Sequence, residues 1–186
     1  KLSPNSLEPY KNFMNKIWNA GKFIDLNKVD CQSQLGNDSF YDAWISYRFN
    51  NLLDKYKVHI ENCEVEKASY ELYHFFWDDF CDWYIEIAKI SFTNSKNSNT
   101  TKTKNNMKDI FCRYLNILYP FAPFISLELK DNFDKDSINK KFTSLPEKLT
   151  IEYTGDFQKE VQLVKDFTIG IRSLRKNLLI KPSDKI

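Results

Sequence analysis

The chain has 186 residues and a formal net charge of +2, which suits one domain with a substantial core. Aromatic residues make up 16% of the sequence, whereas only four glycines and six prolines occur, which excludes a β-rich fold with many tight turns. The small net charge excludes a strongly basic, histone-like nucleic-acid binder but permits a local basic face.

The first two helices are predicted from apolar residues that recur at helical spacing. The first helix begins after Ser6 and has Pro9 in its first turn, a position that proline favours. A polar stretch with one glycine connects it to the second helix, which Asp38 or Ser39 is suited to cap. A short turn is predicted at residues 62–64.

A third helix is predicted from about Val65 to Phe92. Its apolar residues share one face when each residue advances ~100° around the helix, and this face covers more than half of the circumference. They are Val65, Leu72, Phe76, Trp83, Ile87 and Ile90. Because so apolar a helix contacts neighbours on several sides, we expect it at the centre of the fold.

Residues 94–108 are rich in Asn, Ser, Thr and Lys and contain no acidic residue. Such a segment buries too little apolar surface to offset its chain entropy, so it is predicted to be a mobile basic loop. Its lysines are Lys96, Lys102, Lys104 and Lys108. A fourth helix is predicted from about Met107 to Tyr119, and Pro120 and Pro123 then impose a break before a short helix resumes.

The end of the chain is predicted to contain a long irregular excursion and one more helix. Asp131 to Thr154 is polar and contains Pro146, whereas apolar residues recur at helical spacing from about Asp156 to Leu178. Together these elements predict an all-α fold, an antiparallel bundle of four to five long helices with the excursion before the last one. We expect one domain over residues 1–186.

The four cysteines stand far apart and form no Cys-x-x-Cys pair. They are Cys31, Cys63, Cys81 and Cys112. This spacing favours free thiols over a disulfide or a zinc site, and in a sequence without a signal-peptide pattern it predicts a cytoplasmic protein. No apolar run approaches the ~18 residues of a transmembrane helix.

The sequence offers little that would support catalysis or bind a cofactor. His59 and His74 fall on different predicted helices, and neither a His-Glu-x-x-His pattern nor a glycine-rich phosphate loop occurs. Four acids lie close together on the third helix, and they are Asp78, Asp79, Asp82 and Glu86. A paired-carboxylate enzyme site is one interpretation, but acids that edge a solvated face or pair with arginines are the commoner case. We therefore predict no catalytic residue, cofactor or metal site.

Arg175 falls inside the apolar arc of the last predicted helix, where an arginine is costly unless it is paired. Asp79 and Glu86 lie one above the other at the edge of the apolar face of the third helix. We predict that Arg175 pairs with one of these acids across the bundle. The alternative is that its stem lies along apolar surface while its head reaches water.

Four stretches of the sequence carry a family pattern. They are Asn-Lys-Ile-Trp-Asn-Ala at 15–20, Phe-Cys-Asp-Trp-Tyr-Ile-Glu at 80–86, Tyr-Pro-Phe-Ala-Pro-Phe-Ile at 119–125, and Ile-Arg-Ser-Leu-Arg at 171–175 with Pro-Ser-Asp-Lys-Ile at 182–186. In this order they resemble the anticodon-binding domain of the valyl, isoleucyl and leucyl group of class I aminoacyl-tRNA synthetases. The first two stretches favour the valyl family. Tyr119 and Lys181 depart from the usual His and Pro of the pattern.

The resemblance implies that the chain is one part of a larger valine–tRNA ligase. The catalytic domain, with its ATP and Mg, would lie upstream, so we expect this part to bind RNA without a cofactor of its own and without catalysis. Its expected partner is the anticodon loop of tRNA(Val), and the full-length enzyme is expected to be a monomer. The same resemblance also permits an isoleucyl or leucyl anticodon-binding domain. If the resemblance does not reflect function, the alternative is a helical protein-interaction module that binds no nucleic acid.

Candidate contacts follow from how proteins read unpaired bases, which is by stacking on rings and by hydrogen bonds to base edges. The candidates are Asn19, Lys22 and Phe23 at the end of the first helix, Trp44 and Arg48 on the second, and Arg172 and Lys176 on the last as phosphate contacts. Trp18 and Trp83 lie within the family stretches but at apolar helical positions, so we expect them in the core. Trp44 fits either role.

Overall fold

The structure is a computed structural model that describes residues 7–28, 39–93, 99–133, 144–181 and 184. All regular elements within these ranges are helical, which confirms the predicted all-α fold. They are α1 (Glu8–Leu26), α2 (Phe40–Glu61), α3 (Val65–His74), a π-helix (Phe75–Ile85), α4 (Glu86–Thr93), α5 (Asn99–Leu118), α6 (Pro123–Phe133) and α7 (Phe157–Asn177). None of the described helices is long and apolar enough to cross a membrane.

The predicted helix starts are confirmed where capping chemistry defines them. Ser39 caps α2, because its hydroxyl accepts a hydrogen bond from the backbone N–H of Asp42 at 3.2 Å. Asp156 caps α7 in the same way through the N–H of Lys159 at 3.1 Å. The predicted proline break is also confirmed, since α5 ends at Leu118 and α6 begins at Pro123.

The third predicted helix is confirmed as a continuous rod that consists of α3, the π-helix and α4. The rod lies at the centre as expected, and the ring of Phe76 lies 4.7 Å from that of Tyr114 and 5.5 Å from that of Phe80. Its predicted face is wrong at both ends, because Val65 and Ile90 are exposed. The π-helix explains the error at Ile90, since its i→i+5 turns rotate less per residue than the α-helix that the ~100° spacing assumes. Val65 lies in the first turn of α3, before the π-helix begins.

The mobile loop predicted over residues 94–108 is wrong where it can be compared. The helix α5 begins at Asn99, and residues 94–98 lie outside the described part of the chain. Thr103, Asn106 and Met107 are all buried. Polar side chains order this segment through partners on other helices, which local composition cannot reveal.

The irregular excursion is confirmed for residues 144–156, and residues 134–143 of it lie outside the described part. Its described portion is tied to the bundle by backbone hydrogen bonds. Asn50 donates to the carbonyl of Leu149 at 2.9 Å and accepts from its N–H at 2.8 Å. Arg113 on α5 donates to the carbonyl of Glu147 at 2.8 Å. The excursion therefore bridges α2 and α5.

The predicted pairing of Arg175 with Asp79 or Glu86 is wrong. The guanidinium of Arg175 donates to the backbone carbonyls of Lys181 and, at 2.9 Å, Asp184, so it closes the C-terminal end of α7. Asp79 instead faces Arg48 and Lys165, and Glu86 pairs with Lys89 at 2.6 Å. The physical reason is that the residue of α7 that faces the buried acid is Lys165, earlier in the helix.

Gly21 lies where α1 packs tightly against Phe111 of α5 and Leu129 of α6. A Cβ atom there would lie 2.8 Å from Leu129 Cδ2 and 3.3 Å from Phe111 Cζ, both of which belong to buried side chains. We expect Gly21→Ala to lower the free energy of unfolding by about 1 kcal/mol, because overpacking outweighs the gain in helix propensity.

The matched control is Gly170→Ala in α7, where an added Cβ meets nothing within 4 Å. We expect this substitution to raise the free energy of unfolding by about 0.5–1 kcal/mol. Urea unfolding of both variants checks the pair. A Gly21→Ala protein as stable as Gly170→Ala would contradict the close approach.

Candidate nucleic-acid interface

The first group of candidate residues lies at the C-terminal end of α1. Asn19, Lys22 and Phe23 are spaced i, i+3 and i+4, so they share one face of the helix. Asn19 and Lys22 are exposed, and Phe23 is half-buried. The ammonium of Lys22 lies 5.4 Å from the ring centroid of Trp18. This end of α1 therefore offers an amide, a cation and part of a ring to solvent.

Phe23 forms a stacked pair with Phe92, which lies near the end of α4. The two ring centroids are 6.2 Å apart and the rings are inclined by 17°. The Nζ of Lys89 lies 5.2 Å from the Phe23 centroid, and the Nζ of Lys104 lies 5.1 Å from the Phe92 centroid. We call Lys22, Phe23, Lys89, Phe92 and Lys104 the Phe23 patch. It combines two half-buried rings with three lysines drawn from three helices.

Three members of the Phe23 patch were not among the predicted contacts, and no local signal in the sequence identifies them. Lys89 and Phe92 lie at the end of the long third helix, where the periodicity indicates only a general apolar face. Lys104 lies in the segment that the sequence predicts to be a mobile loop. Only the packing of α4 and α5 against α1 brings these side chains to Phe23.

The second group of candidates lies where α7 crosses α2 and the π-helix. Trp44 is only 6% exposed, and the Nζ of Lys165 lies 4.4 Å from its ring centroid. The same Nζ lies 5.2 Å from the ring centroid of Trp83, and the guanidinium carbon of Arg172 lies 6.0 Å from that ring. Trp44 therefore packs in the core, while Trp83 is half-buried between two cations.

Asp79 holds the cations of this second group together. Its carboxylate is 6% exposed, accepts a hydrogen bond from Arg48 Nε at 2.7 Å and lies 3.8 Å from Lys165 Nζ. Burial lowers the pKa of Lys165, whereas the charge of Asp79 raises it and that of Arg48 lowers it. One buried carboxylate thus faces two cations, and Arg172 beside them is exposed.

The last candidate residue and the two tryptophans of the family stretches are exposed or partly exposed. Lys176 is exposed on α7. Trp18 and Trp83, both expected in the core, pack against it but stay half-exposed. Indole rings at such positions combine a scaffold role with an accessible edge.

A groove between α4 and α7 connects the two groups. Its volume is about 460 Å³, and its lining includes Trp83, Ile87, Lys89, Ile90, Val164 and Arg172. Lys89 belongs to the Phe23 patch, and Trp83 and Arg172 belong to the second group. The lining therefore combines apolar side chains with the cations of Lys89 and Arg172, and it also includes the carboxylates of Asp82 and Glu86, which pair with Lys16 and Lys89. The apolar side chains suit flat bases, and Arg172 suits a phosphate.

The four acids of the third helix are paired with basic side chains. Asp82 binds Lys16, and Asp78 binds His74 at 2.6 Å, in addition to the pairs of Asp79 and Glu86. Within the described ranges, no three His, Cys, Asp or Glu side chains converge as a metal site would require. This arrangement favours the interpretation that the acids are structural over a paired-carboxylate enzyme site.

Comparison with known proteins agrees with these features. The model of one family, the anticodon-binding domain of tRNA ligase, matches residues 42–186. A valine–tRNA ligase of Aquifex aeolicus is 30% identical over all of this chain and 17% of its own length. Those of Wigglesworthia glossinidia brevipalpis and Thermotoga maritima are 35% and 31% identical over 89% and 100% of the chain. The chain spans about a fifth of the length of these relatives.

Proposed function

We propose that this chain, which belongs to the family of anticodon-binding domains of tRNA ligases, reads the anticodon loop of tRNA(Val). Family membership implies tRNA binding, and the finer identity of the tRNA rests on the valine–tRNA ligases that match the whole chain. The observation that carries the mechanism is the Phe23 patch, in which two rings and three lysines meet on one surface.

In the proposed mechanism, a splayed base stacks on the exposed part of Phe23, which Phe92 supports from behind. One such stacking contact is worth ~1–3 kcal/mol. The Asn19 amide can donate and accept at a base edge, so it is suited to distinguish bases. Lys104, whose Nζ lies 5.1 Å from the Phe92 ring centroid, is placed to contact a phosphate. Lys89 forms an exposed ion pair with Glu86 at 2.6 Å and would exchange this weak pair for a phosphate.

The second group extends this surface along the groove. Arg172 and Lys176 are exposed and are proposed to hold phosphates. Arg48 contributes positive charge next to them but is partly neutralised by Asp79. We assign Trp44 a supporting role, because its buried ring holds Lys165 rather than a base. The anticodon loop would then run from the Phe23 patch toward Arg172.

The activity of the whole protein is part of the same proposal. Valine–tRNA ligation would require a catalytic domain, with its ATP and Mg, in the remaining four fifths that the relatives possess. A cytoplasmic, monomeric enzyme is the expected setting. An isoleucyl or leucyl specificity is the closest alternative, because those anticodon domains share the same fold pattern.

The decisive test is fluorescence anisotropy of the chain with a labelled valine anticodon stem-loop. Valine anticodons share their second and third bases, so controls are an isoleucine stem-loop and a valine stem-loop with those bases exchanged. Preference for the valine loop that weakens with salt is expected. Equal affinity for all loops would leave only nonspecific RNA binding and would contradict the valyl assignment.

The roles of Lys104 and Asn19 are expected to separate in the same assay. Lys104→Ala should weaken binding to every loop alike and reduce the slope of log affinity against log salt by ~1, because it removes a phosphate contact. Asn19→Ala should instead reduce the preference among loops. Lys57→Ala, at an exposed position near the far end of α2, is the matched control and should change neither.

A further inference from the structure

Asp42 lies in the first turn of α2 and accepts hydrogen bonds from four side chains. It is 1% exposed. Its Oδ1 accepts from the hydroxyl of Tyr84 at 2.6 Å and from Asn106 Nδ2 at 3.1 Å. Its Oδ2 accepts from the hydroxyls of Thr103 at 2.7 Å and Ser39 at 2.5 Å. No described Lys or Arg pairs with this carboxylate, so it is held by neutral donors and the start of its own helix.

Two of the four donors come from the first half of α5, which has little reason to be helical by itself. Its sequence over 99–106 consists of Asn, Thr and Lys, and the short polar residues among these compete with the backbone for hydrogen bonds. Thr103 and Asn106 are nevertheless buried. They stand on either side of Lys104 in the sequence, and both point to Asp42.

We propose that Asp42 is a positioning residue that orders the first turns of α5 and thereby places Lys104 against Phe92 for RNA binding. This inference rests on the proposed function of the Phe23 patch. Asp42 acts through the α5 donors and need not touch RNA. One buried acid on α2 therefore keeps the basic segment at residues 99–106 in an ordered helical structure.

An ionised carboxylate suits this role better than any other side chain of its size. It only accepts hydrogen bonds and has room for about four of them, whereas an asparagine would turn an NH₂ group toward two of the four donors. The helix of Thr103 and Asn106 is therefore oriented by the acid and not merely packed against it. Tyr41, whose hydroxyl lies 3.4 Å from that of Thr103, closes the same side of the cage.

The test compares the wild-type chain with Asp42→Asn, which keeps the side-chain shape, by amide hydrogen exchange followed by mass spectrometry. Peptides that cover residues 99–107 are expected to exchange about tenfold faster in Asp42→Asn, since one or two hydrogen bonds to a charged acceptor are lost. Peptides that cover residues 110–118 should exchange as in the wild type. Leu53→Ala, in the core of the same helix, controls for general destabilisation.

The second measurement asks whether Asp42 acts through Lys104. Asp42→Asn should lower the affinity for the valine stem-loop roughly fivefold and reduce the salt slope by ~1, as Lys104→Ala does. In the Lys104→Ala background, Asp42→Asn should cause no further loss, because the contact that it positions is already absent. A purely structural role would leave the two losses additive.

The outcomes separate this inference from the proposed function. Unchanged exchange over residues 99–107 in a chain that binds RNA overturns the role of Asp42 alone. Faster exchange with fully additive affinity losses overturns the link to Lys104. Failure of the wild-type chain to bind any anticodon loop overturns the proposed function and, with it, the RNA role of Lys104.

Discussion

Phe23→Ala is expected to lower the affinity for the valine anticodon stem-loop by about tenfold or more. The substitution removes the proposed stacking face, and one base stacked on an aromatic ring is worth ~1–3 kcal/mol. Phe23 is half-buried and not part of the fully buried core, so the chain should still fold. Anisotropy titrations measure the effect, and urea unfolding confirms that the fold is kept.

Phe92→Ala tests whether the two rings act as a unit. The rings are stacked with 6.2 Å between centroids, so the double variant should lose less affinity than the sum of the single losses. Phe121→Ala is the matched control, because Phe121 is likewise half-buried and pairs with Tyr56 at 6.3 Å, and it lies beside Pro9 and Tyr10 at the opposite end of α1 from Phe23. Loss of affinity in Phe121→Ala as large as in Phe23→Ala would refute a specific stacking role.

Asp42→Ala is expected to lower the free energy of unfolding by about 3 kcal/mol at neutral pH. The substitution leaves the hydroxyls of Tyr84 and Thr103 and the amide of Asn106 without their common acceptor in a buried site. Each unsatisfied buried polar group costs ~1–3 kcal/mol, and rearrangement recovers part of this. Urea unfolding measures the loss. A change below about 1 kcal/mol would show that the cage contributes little to stability.

The stability of the wild type relative to Asp42→Asn should also depend on pH. Burial raises the pKa of Asp42 above its ordinary value, although the four hydrogen-bond donors lower it. Tyr84, the titratable donor, has its pKa raised well above the ordinary value by burial and by the charge of Asp42, so it stays neutral.

The sign of this dependence follows from linkage between protonation and folding. Because the pKa of Asp42 is higher in the folded state than in the unfolded state, the folded state binds the proton more tightly. The stability that protonation contributes is complete below the unfolded pKa and is lost as pH rises through the folded pKa. The stability of the wild type relative to Asp42→Asn should therefore be greater at a pH below the unfolded pKa than at a pH above the folded pKa. Parallel pH profiles of the two proteins would contradict the raised pKa.

Local patterns in the sequence determined most of the helical framework of this protein. Ser39 and Asp156 cap helices because their short polar side chains reach the first free N–H groups, and Pro123 starts α6 because it lacks an N–H of its own. The long third helix followed from its periodicity. These features depend on residues within a turn or two of each other, so one sequence is enough to predict them.

The same limit explains the errors within the framework. The sequence predicted a mobile loop where α5 begins, because its polar composition is what a solvated segment has. Asp42, on another helix, reverses that outcome by supplying acceptors to Thr103 and Asn106. The apolar face of the third helix was also predicted in the wrong register, because no local sequence pattern reveals the π-helix at Phe75–Ile85.

The candidate site was determined by the sequence only in part. The motif at 15–20 and the residues beside it led to Asn19, Lys22 and Phe23, which share one face because helical spacing places them there. Tertiary structure alone decided that Phe92, Lys89 and Lys104 meet Phe23, that Lys165 and not Arg175 faces Asp79, and that Trp44 is buried. These partners lie on different helices, and their meeting is set by how the helices pack, which no local spacing encodes.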